Sequence, residues 1–209
     1  SGGKSTLLKA LALRQPTKTV CFTTTKMALE QLSFCDHVES FDDLEEKQIQ
    51  SVFTVSNNRI QTQMPINFEF SPRFTYIYEA DGAKMLPLKF HFNDPVFLPQ
   101  TTLIYVVVGL KGFNKQLKES MFRYEQFIDK YHLKEDQICT IEVLEIVVNE
   151  YLQQWDLWDL RFRNGNQQFP CKNQNCVQKL VFNQVDAVGQ EDLEQIKLKW
   201  PNAMFGVGM

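Results

Sequence analysis

The chain begins with residue types that bind phosphate. They are Gly2, Gly3, Lys4, Ser5 and Thr6. This order matches the second half of the phosphate-binding loop G-x-x-x-x-G-K-[ST]. In such a loop the glycines let backbone N–H groups approach an anion, the lysine reaches the outer phosphates, and the hydroxyl binds Mg²⁺. The first glycine of the pattern and the strand before it would precede Ser1, so we expect native residues there and weak binding without them. The alternative is a glycine-rich helix start with a lone lysine.

A second group of chemical residues follows the apolar run "FTYIY" (74–78). It comprises Glu79, Asp81, Gly82 and Lys84. An acid at the end of a strand can hold Mg²⁺ in nucleotide hydrolases, and a cation there can stabilise charge during phosphoryl transfer. We therefore predict Mg²⁺ ligands at Ser5, Glu79 and Asp81. The catalytic candidates are Lys4, Glu79, Asp81 and Lys84, and the N–H of Gly82 is expected to face a γ-phosphate. The alternative is a strand followed by an ordinary Asp-Gly turn.

Two further segments place polar residues after apolar runs. In "VCFTTTK" (20–26), Thr24 and Thr25 are predicted to contact Mg²⁺ or phosphate, or else to fill a strand as β-branched residues. In "LVFNQVD" (180–186), Asn183 and Asp186 match the N-x-x-D part of the N-K-x-D sequence of GTPases, in which the Asp binds guanine. This favours GTP over ATP, although Gln184 replaces the usual lysine. The alternative is a plain strand-to-helix turn.

The segments between these residues alternate between strand and helix patterns. Apolar runs without alternation predict buried parallel strands at Lys18–Thr24, Phe74–Ala80, Thr102–Leu110, Lys179–Val185 and Ala203–Met209. Helix formers and helical spacing predict helices at Thr6–Arg14, Lys115–Tyr131, Ile141–Trp155 and Gly189–Trp200. The order predicts one α/β domain over residues 1–209, a three-layer P-loop NTPase-like fold with a mostly parallel sheet. Alternation in residues 48–70 predicts extra edge strands or a hairpin.

Composition limits the classes of function. The chain has 209 residues, of which 44% are hydrophobic and 22% charged, and its net charge is −3. This argues against a nucleic-acid partner or a membrane surface held by basic charge, and no apolar run is long enough to span a bilayer. The five cysteines predict reduced thiols in a cytoplasmic protein. Cys171 and Cys176 form a C-x4-C pair, which is read as two loop cysteines or as half of a metal or disulfide site.

The segments "GGKSTLL", "VCFTTTK", "VVVGLKGFNKQL", "VFNQVD" and above all "EADGAKMLPLK" (79–89) carry a resemblance across nearly the whole chain. The sequence resembles the YqeC-type accessory proteins of selenium-dependent molybdenum hydroxylases. The resemblance marks the loop at residues 2–6 and the segments Thr23–Lys26 and Glu79–Lys89 as signature positions. Phe122 and Arg123 stand where the family tends to have a His-Arg pair, and Met85 stands where it usually has a glycine.

The resemblance implies a bacterial cytoplasmic P-loop protein that takes part in maturing these hydroxylases. We expect it to bind Mg²⁺ with GTP or ATP, GTP being favoured, and to be a slow NTPase. Its expected partners are a molybdenum hydroxylase or the machinery that delivers cofactor or selenium. Two alternatives remain open: a kinase or ATP-dependent ligase acting on a cofactor precursor, and a non-catalytic scaffold with a degenerate loop. Lys84, Lys89 and Arg123 are candidate cations that could stabilise charge near a γ-phosphate during phosphoryl transfer. The alternative for each is a solvated surface charge.

Overall fold

The structure is a computed structural model, and it describes residues 3–62, 69–92, 95–98, 100–163 and 176–206. For residues 154–163 only the backbone is described. Close contacts divide the chain into two compact units. The N-terminal unit is Lys4–Gly82, and the C-terminal unit is Ser1–Gly3 with Ala83–Met209. Each unit is described by itself, and a single domain over residues 1–209 stays a prediction.

The N-terminal unit has one helix and a parallel sheet, with a small antiparallel sheet beside them. Its elements are α1 (Lys4–Arg14), β1 (Thr19–Thr23), β2 (Met27–Ala28), β3 (Asp36–Val38), β4 (Ile49–Val52), β5 (Thr54–Ser56), β6 (Arg59–Gln61) and β7 (Thr75–Glu79), with 3-10 turns at Leu29–Leu32 and Phe41–Asp43. The strand order is β3-β4-β1-β7, all parallel, and β2-β6-β5 forms the antiparallel sheet. Residues 48–70 therefore supply an interior strand, β4, as well as a hairpin; residues 63–68 lie outside the described part.

The centre of this unit explains why β1 has no polar alternation. All five residues of β1 are buried, as a parallel strand covered on both faces requires. Leu8 and Ala12 of α1 pack in one apolar cluster with Cys21 of β1. The helix is thereby fixed on the sheet, and its first turn is held at the carboxyl ends of the parallel strands β1 and β7. Ligands of open α/β sheets bind at such ends.

The C-terminal unit repeats the same alternation. Its elements are β8 (Leu88–Lys89), β9 (Leu103–Gly109), α2 (Leu117–Ser120), β10 (Met121–Phe122), α3 (Tyr124–Tyr131), α4 (Ile141–Arg163), β11 (Val177–Asn183), α5 (Gln190–Lys199) and β12 (Met204–Gly206), with 3-10 turns at Leu110–Gly112 and Val185–Ala187. Strands β12-β11-β9 form one parallel sheet and β10-β8 a parallel pair. Residues 207–209 of the predicted last strand lie outside the described part.

The single helix predicted over Lys115–Tyr131 is wrong. The structure breaks it into α2, the short strand β10 and α3. Met121 and Phe122 pair with Leu88 and Lys89 of β8, and Arg123 adopts a left-handed conformation at φ 65°. The apolar residues keep their helical spacing across the break, because the strand pairing buries the apolar residue at this point. The spacing alone therefore did not reveal the break.

The predicted fold class is confirmed: helices alternate with strands, and most of the strand pairings are parallel. The tight turn at residues 83–86 also forms although Met85 replaces the usual glycine. The N–H of Leu86 donates to the carbonyl of Ala83 at 2.9 Å, and Met85 takes a φ of 67°. No helix among the described residues combines the length and apolar character needed to cross a bilayer.

Candidate functional site

The first turn of α1 and the end of β7 bring a hydroxyl and a carboxylate together. Ser5 Oγ donates a hydrogen bond to Glu79 Oε2 at 2.8 Å, and both residues are buried. Glu79 is the last residue of β7, which runs parallel to β1. Two residues 74 positions apart in the sequence thus meet at one point. A hydroxyl beside a strand-end carboxylate is the pair that holds Mg²⁺ in P-loop proteins.

Gln31 is a third member of this cluster, and no sequence motif pointed to it. Its Nε2 donates to Ser5 Oγ at 2.7 Å, while its Oε1 accepts from the N–H of Ala28 at 3.0 Å. The two bonds fix the orientation of the amide. Ser5 Oγ then donates one hydrogen bond and accepts one, which leaves one lone pair of the hydroxyl for a cation. Gln31 lies in a short 3-10 turn and belongs to no motif, so only the folded chain identifies it.

Lys4 and Asp81 form an ion pair next to the serine and glutamate. Lys4 Nζ lies 3.4 Å from Asp81 Oδ2, and the two side chains are only 17% and 11% exposed. The lysine of the predicted phosphate loop is therefore held by a carboxylate of the second predicted motif. A phosphate group arriving at the loop would compete with Asp81 for the lysine, and it would free Asp81 to act on Mg²⁺ or water.

Thr23, the last residue of β1, and Thr24 after it bind the backbone of Glu79. Thr23 Oγ1 donates to the Glu79 carbonyl at 3.2 Å and to that of Thr25 at 3.0 Å, and Thr24 N–H donates to the Glu79 carbonyl at 3.1 Å. These bonds lock the end of β1 to the end of β7. In this structure Thr23 and Thr24 position Glu79, and Thr25 bonds to Thr23 through its N–H and its carbonyl.

Burial makes Glu79 an unusual acid. Desolvation raises the pKa of its carboxyl and the charge of Asp81 adds to this, while Lys4 and the Ser5 hydrogen bond oppose it. The pKa of Glu79 is raised overall, because the cost of burying its ionised carboxylate exceeds the stabilisation that its neighbours provide. A divalent cation would reverse the balance by stabilising the ionised carboxylate. Strongly perturbed carboxyls of this kind mark candidate functional sites.

We expect the Glu79→Gln variant to gain stability over the wild type as pH rises. A raised folded pKa means that the carboxyl contributes most to stability below its ordinary pKa of 4.5 and loses that contribution as pH climbs through the raised value. Denaturant unfolding without divalent metal should therefore show similar free energies at low pH and a growing advantage for glutamine towards neutrality. Glu142→Gln is the control of opposite sign, because a hydrogen bond from Thr140 lowers the pKa of Glu142. A pH-independent difference for Glu79→Gln would contradict this.

In the C-terminal unit, the structure brings Gly3 against Asn183, the final residue of β11. Gly3 has a φ of 86°, and a Cβ built on it would lie 1.6 Å from Asn183 Nδ2. Only glycine combines this backbone conformation with such a close approach. Gly3 and Asn183 belong to separate predicted motifs, 180 positions apart in the sequence, and their assignment to one binding site stays a prediction.

The remaining predicted residues are more scattered. Asp186 is exposed in the 3-10 turn after β11, and Gln184 before it is left-handed at φ 61°. Thr6 is exposed in the first turn of α1. A Cβ placed on Gly82 would lie 3.6 Å from the carbonyl oxygen of Lys26. Lys84 belongs to the C-terminal unit and lies over the ring of Phe122.

Two predictions fall outside the described residues. Gly2 of the loop is one, and Cys171 of the C-x4-C pair is the other. Among the described residues no group of three or more His, Cys, Asp or Glu side chains could hold a metal ion. A Mg²⁺ site of the kind predicted would need only one or two protein carboxylates, together with substrate phosphates and water.

Comparison with known proteins gives one match. A family model described as YqeC protein matches residues 1–125, which is more than half of the chain. The matched residues include the loop, the threonines, Glu79 to Lys89 and Arg123, but not Asn183 or Asp186. No curated protein and no solved structure matches the chain.

Proposed function

The chain belongs to the YqeC protein family, and on that premise we propose that it is an accessory protein for selenium-dependent molybdenum hydroxylases that binds a nucleoside triphosphate with Mg²⁺. Family membership supports the accessory role. We propose a bacterial, cytoplasmic setting, and as partners a molybdenum hydroxylase or the machinery that delivers its cofactor or selenium. The nucleotide state of the protein would regulate its association with that partner.

The observation that carries the nucleotide proposal is the contact between Ser5 and Glu79. The two side chains meet at 2.8 Å at the start of α1, where backbone N–H groups and the helix dipole favour an anion. In the proposed complex Ser5 and Glu79 hold Mg²⁺, directly or through water, and Lys4 leaves Asp81 for the outer phosphates. Mg²⁺ would screen the phosphate charges when bound. Asp81 then accepts a proton or orients water for slow hydrolysis.

The preference for GTP rests on Asn183 and Asp186. Asp186 is exposed in the middle of the 3-10 turn that follows β11, so its carboxylate could accept hydrogen bonds from the ring N–H and amino group of guanine. Adenine lacks this pair of donors. With ATP bound, the carboxylate of Asp186 would lack these donors. The cost of leaving it unpaired would disfavour ATP relative to GTP.

We expect the Asp186→Ala variant of the full-length protein to lose its preference for GTP. Titration with non-hydrolysable GTP and ATP analogues should show GTP binding weakened by about tenfold or more and ATP binding unchanged, since a charge-assisted hydrogen bond is worth about 1.5–3 kcal/mol. Glu191→Ala removes an exposed acid from the first turn of α5 and is the control. If ATP binds the wild type better than GTP, or if Asp186→Ala changes neither affinity, the assignment of the base is wrong.

A further inference from the structure

The side-chain amide of Gln31 bridges two parts of the N-terminal unit. Its Oε1 accepts a hydrogen bond from the N–H of Ala28 at 3.0 Å, and its Nε2 donates one to Ser5 Oγ at 2.7 Å. The backbone N–H of Ala28 can only donate, so it requires the oxygen of the amide on its side. The amide nitrogen therefore faces Ser5, and the orientation of Gln31 follows from its hydrogen-bond partners.

The orientation of Gln31 determines where the hydroxyl hydrogen of Ser5 points. An amide nitrogen donates and does not accept, so Ser5 Oγ is the acceptor of the bond from Gln31. The hydrogen of Ser5 is then directed to the other neighbour of the hydroxyl, Glu79 Oε2, at 2.8 Å. The hydrogen bonds therefore run in one direction, from Gln31 through Ser5 to Glu79.

This arrangement leaves the hydroxyl oxygen of Ser5 one direction for a further ligand. The Cβ atom, the hydrogen donated to Glu79 and the N–H of Gln31 take three of the four tetrahedral directions around Oγ. A cation that binds Oγ approaches along the remaining lone pair. Without Gln31 the oxygen would have two open lone pairs, and its hydrogen would be free to rotate to another acceptor.

The fold holds Gln31 in place by contacts that do not involve Ser5. Gln31 lies in the 3-10 turn Leu29–Leu32, and Leu32 at the end of this turn is 2% exposed in the apolar cluster that α1 and β1 share. Ala28, the residue before the turn, belongs to β2, which pairs with β6. Both ends of the turn are anchored, so its amide is a fixed support for the hydroxyl.

We propose that Gln31 is a positioning residue for the metal of the nucleotide site, because it directs the hydrogen of Ser5 to Glu79 and leaves a single lone pair for a divalent cation. The inference rests on the proposed nucleotide function and adds to it a residue that no motif contains. A neutral amide brings no charge to attract the cation, so its contribution is orientation. Outer contacts of this kind orient the groups that ligate a metal and tune its affinity.

Calorimetric titration of the full-length protein with a non-hydrolysable nucleotide analogue, once with Mg²⁺ and once with a chelator, tests this proposal. Gln31→Met keeps the length of the side chain and removes the donor. We expect it to weaken binding about threefold to tenfold with Mg²⁺ and less than twofold with the chelator. Gln61→Met is the matched control, because Gln61 is exposed on β6, and it should change neither affinity. Unchanged or tighter binding of Gln31→Met with Mg²⁺ would overturn the proposal.

The Ser5→Ala background separates positioning from a merely structural role. Gln31 is proposed to act through Ser5, so Gln31→Met should change the affinity with Mg²⁺ less than twofold once Ser5 is replaced by alanine. A similar loss in both backgrounds would show that Gln31 only supports its turn, and the proposal would be wrong. Denaturant unfolding of each variant verifies that it folds.

An NMR readout without nucleotide or metal separates this proposal from the nucleotide proposal. The side-chain amide protons of Gln31 are assigned by their absence from the spectrum of Gln31→Met, and they should shift and exchange faster with water in Ser5→Ala. If Ser5→Ala leaves them unchanged, Gln31 does not hold the hydroxyl, and the positioning role fails even where nucleotide binds. If they respond but no nucleotide binds with Mg²⁺, the nucleotide proposal fails and the metal role of Gln31 fails with it.

Discussion

Replacing Lys4 with alanine is expected to lower the affinity of the full-length protein for a nucleoside triphosphate by about 100-fold, or about 2.8 kcal/mol. The lysine is largely buried and already bound to a carboxylate, so its charge is poorly screened and reaches an incoming phosphate without a large loss of side-chain entropy. The variant also removes the Lys4 ammonium from beside Asp81. That carboxylate would then repel the phosphates, which adds to the lost attraction.

Lys9→Ala is the matched control for this prediction. Lys9 lies on the same helix, is exposed, and lies 5.6 Å from the Phe34 ring. Its removal changes the net charge of the protein by the same amount and should change nucleotide affinity less than twofold, because exposed charges are screened by salt. Equal effects of Lys4→Ala and Lys9→Ala would mean that the loop does not hold phosphate.

Gly3→Ala is expected to disrupt the loop severely. The new Cβ would lie 1.6 Å from Asn183 Nδ2 and 2.8 Å from its Cγ, and the backbone is at a φ of 86°. Overlap and a positive φ together should cost about 2–4 kcal/mol. We expect this cost to lower the free energy of unfolding, to displace the loop and weaken nucleotide binding, or to do both. Denaturant unfolding measures the first effect, and calorimetric titration with nucleotide measures the second.

Asn183→Ala separates the two causes. This substitution removes the overlapping atoms and leaves the Asn183 Cβ, which lies 3.6 Å from the methyl group added at Gly3. The double variant Gly3→Ala/Asn183→Ala should therefore recover the steric part of the lost stability and keep the part due to the positive φ. Gly189→Ala is the control glycine, because nothing lies within 4 Å of its Cβ and its φ is −63°. It should cost less than about 1 kcal/mol. Additive effects of the two substitutions would show that Gly3 and Asn183 do not touch.

Much of the fold follows from the sequence for identifiable physical reasons. β1 has no alternation of polar and apolar residues because both of its faces are covered, and that pattern predicts a buried parallel strand. The observed bounds of α1, β7 and β9 differ from the predicted bounds by one or two residues. The short strands β3 and β10 escaped prediction because strands of two or three residues are fixed by pairing partners, which a local pattern does not contain.

The candidate site likewise contains residues that the sequence could predict and residues that it could not. Lys4, Ser5, Glu79 and Asp81 could be chosen from the sequence because loop and strand-end motifs constrain residue type and spacing. Gln31 could not, since its role comes from a tertiary contact with Ser5. The Lys4–Asp81 pair and the approach of Gly3 to Asn183 likewise appear only in three dimensions.

The most direct test of the central proposal is calorimetric titration of the full-length wild-type protein with a GTP analogue, once with Mg²⁺ and once with a chelator. We expect one nucleotide to bind per chain and the affinity to fall at least tenfold without the metal, because Ser5 and Glu79 act through Mg²⁺. Absence of binding by both GTP and ATP analogues in the presence of Mg²⁺ would contradict the proposal and leave a scaffold with a degenerate loop.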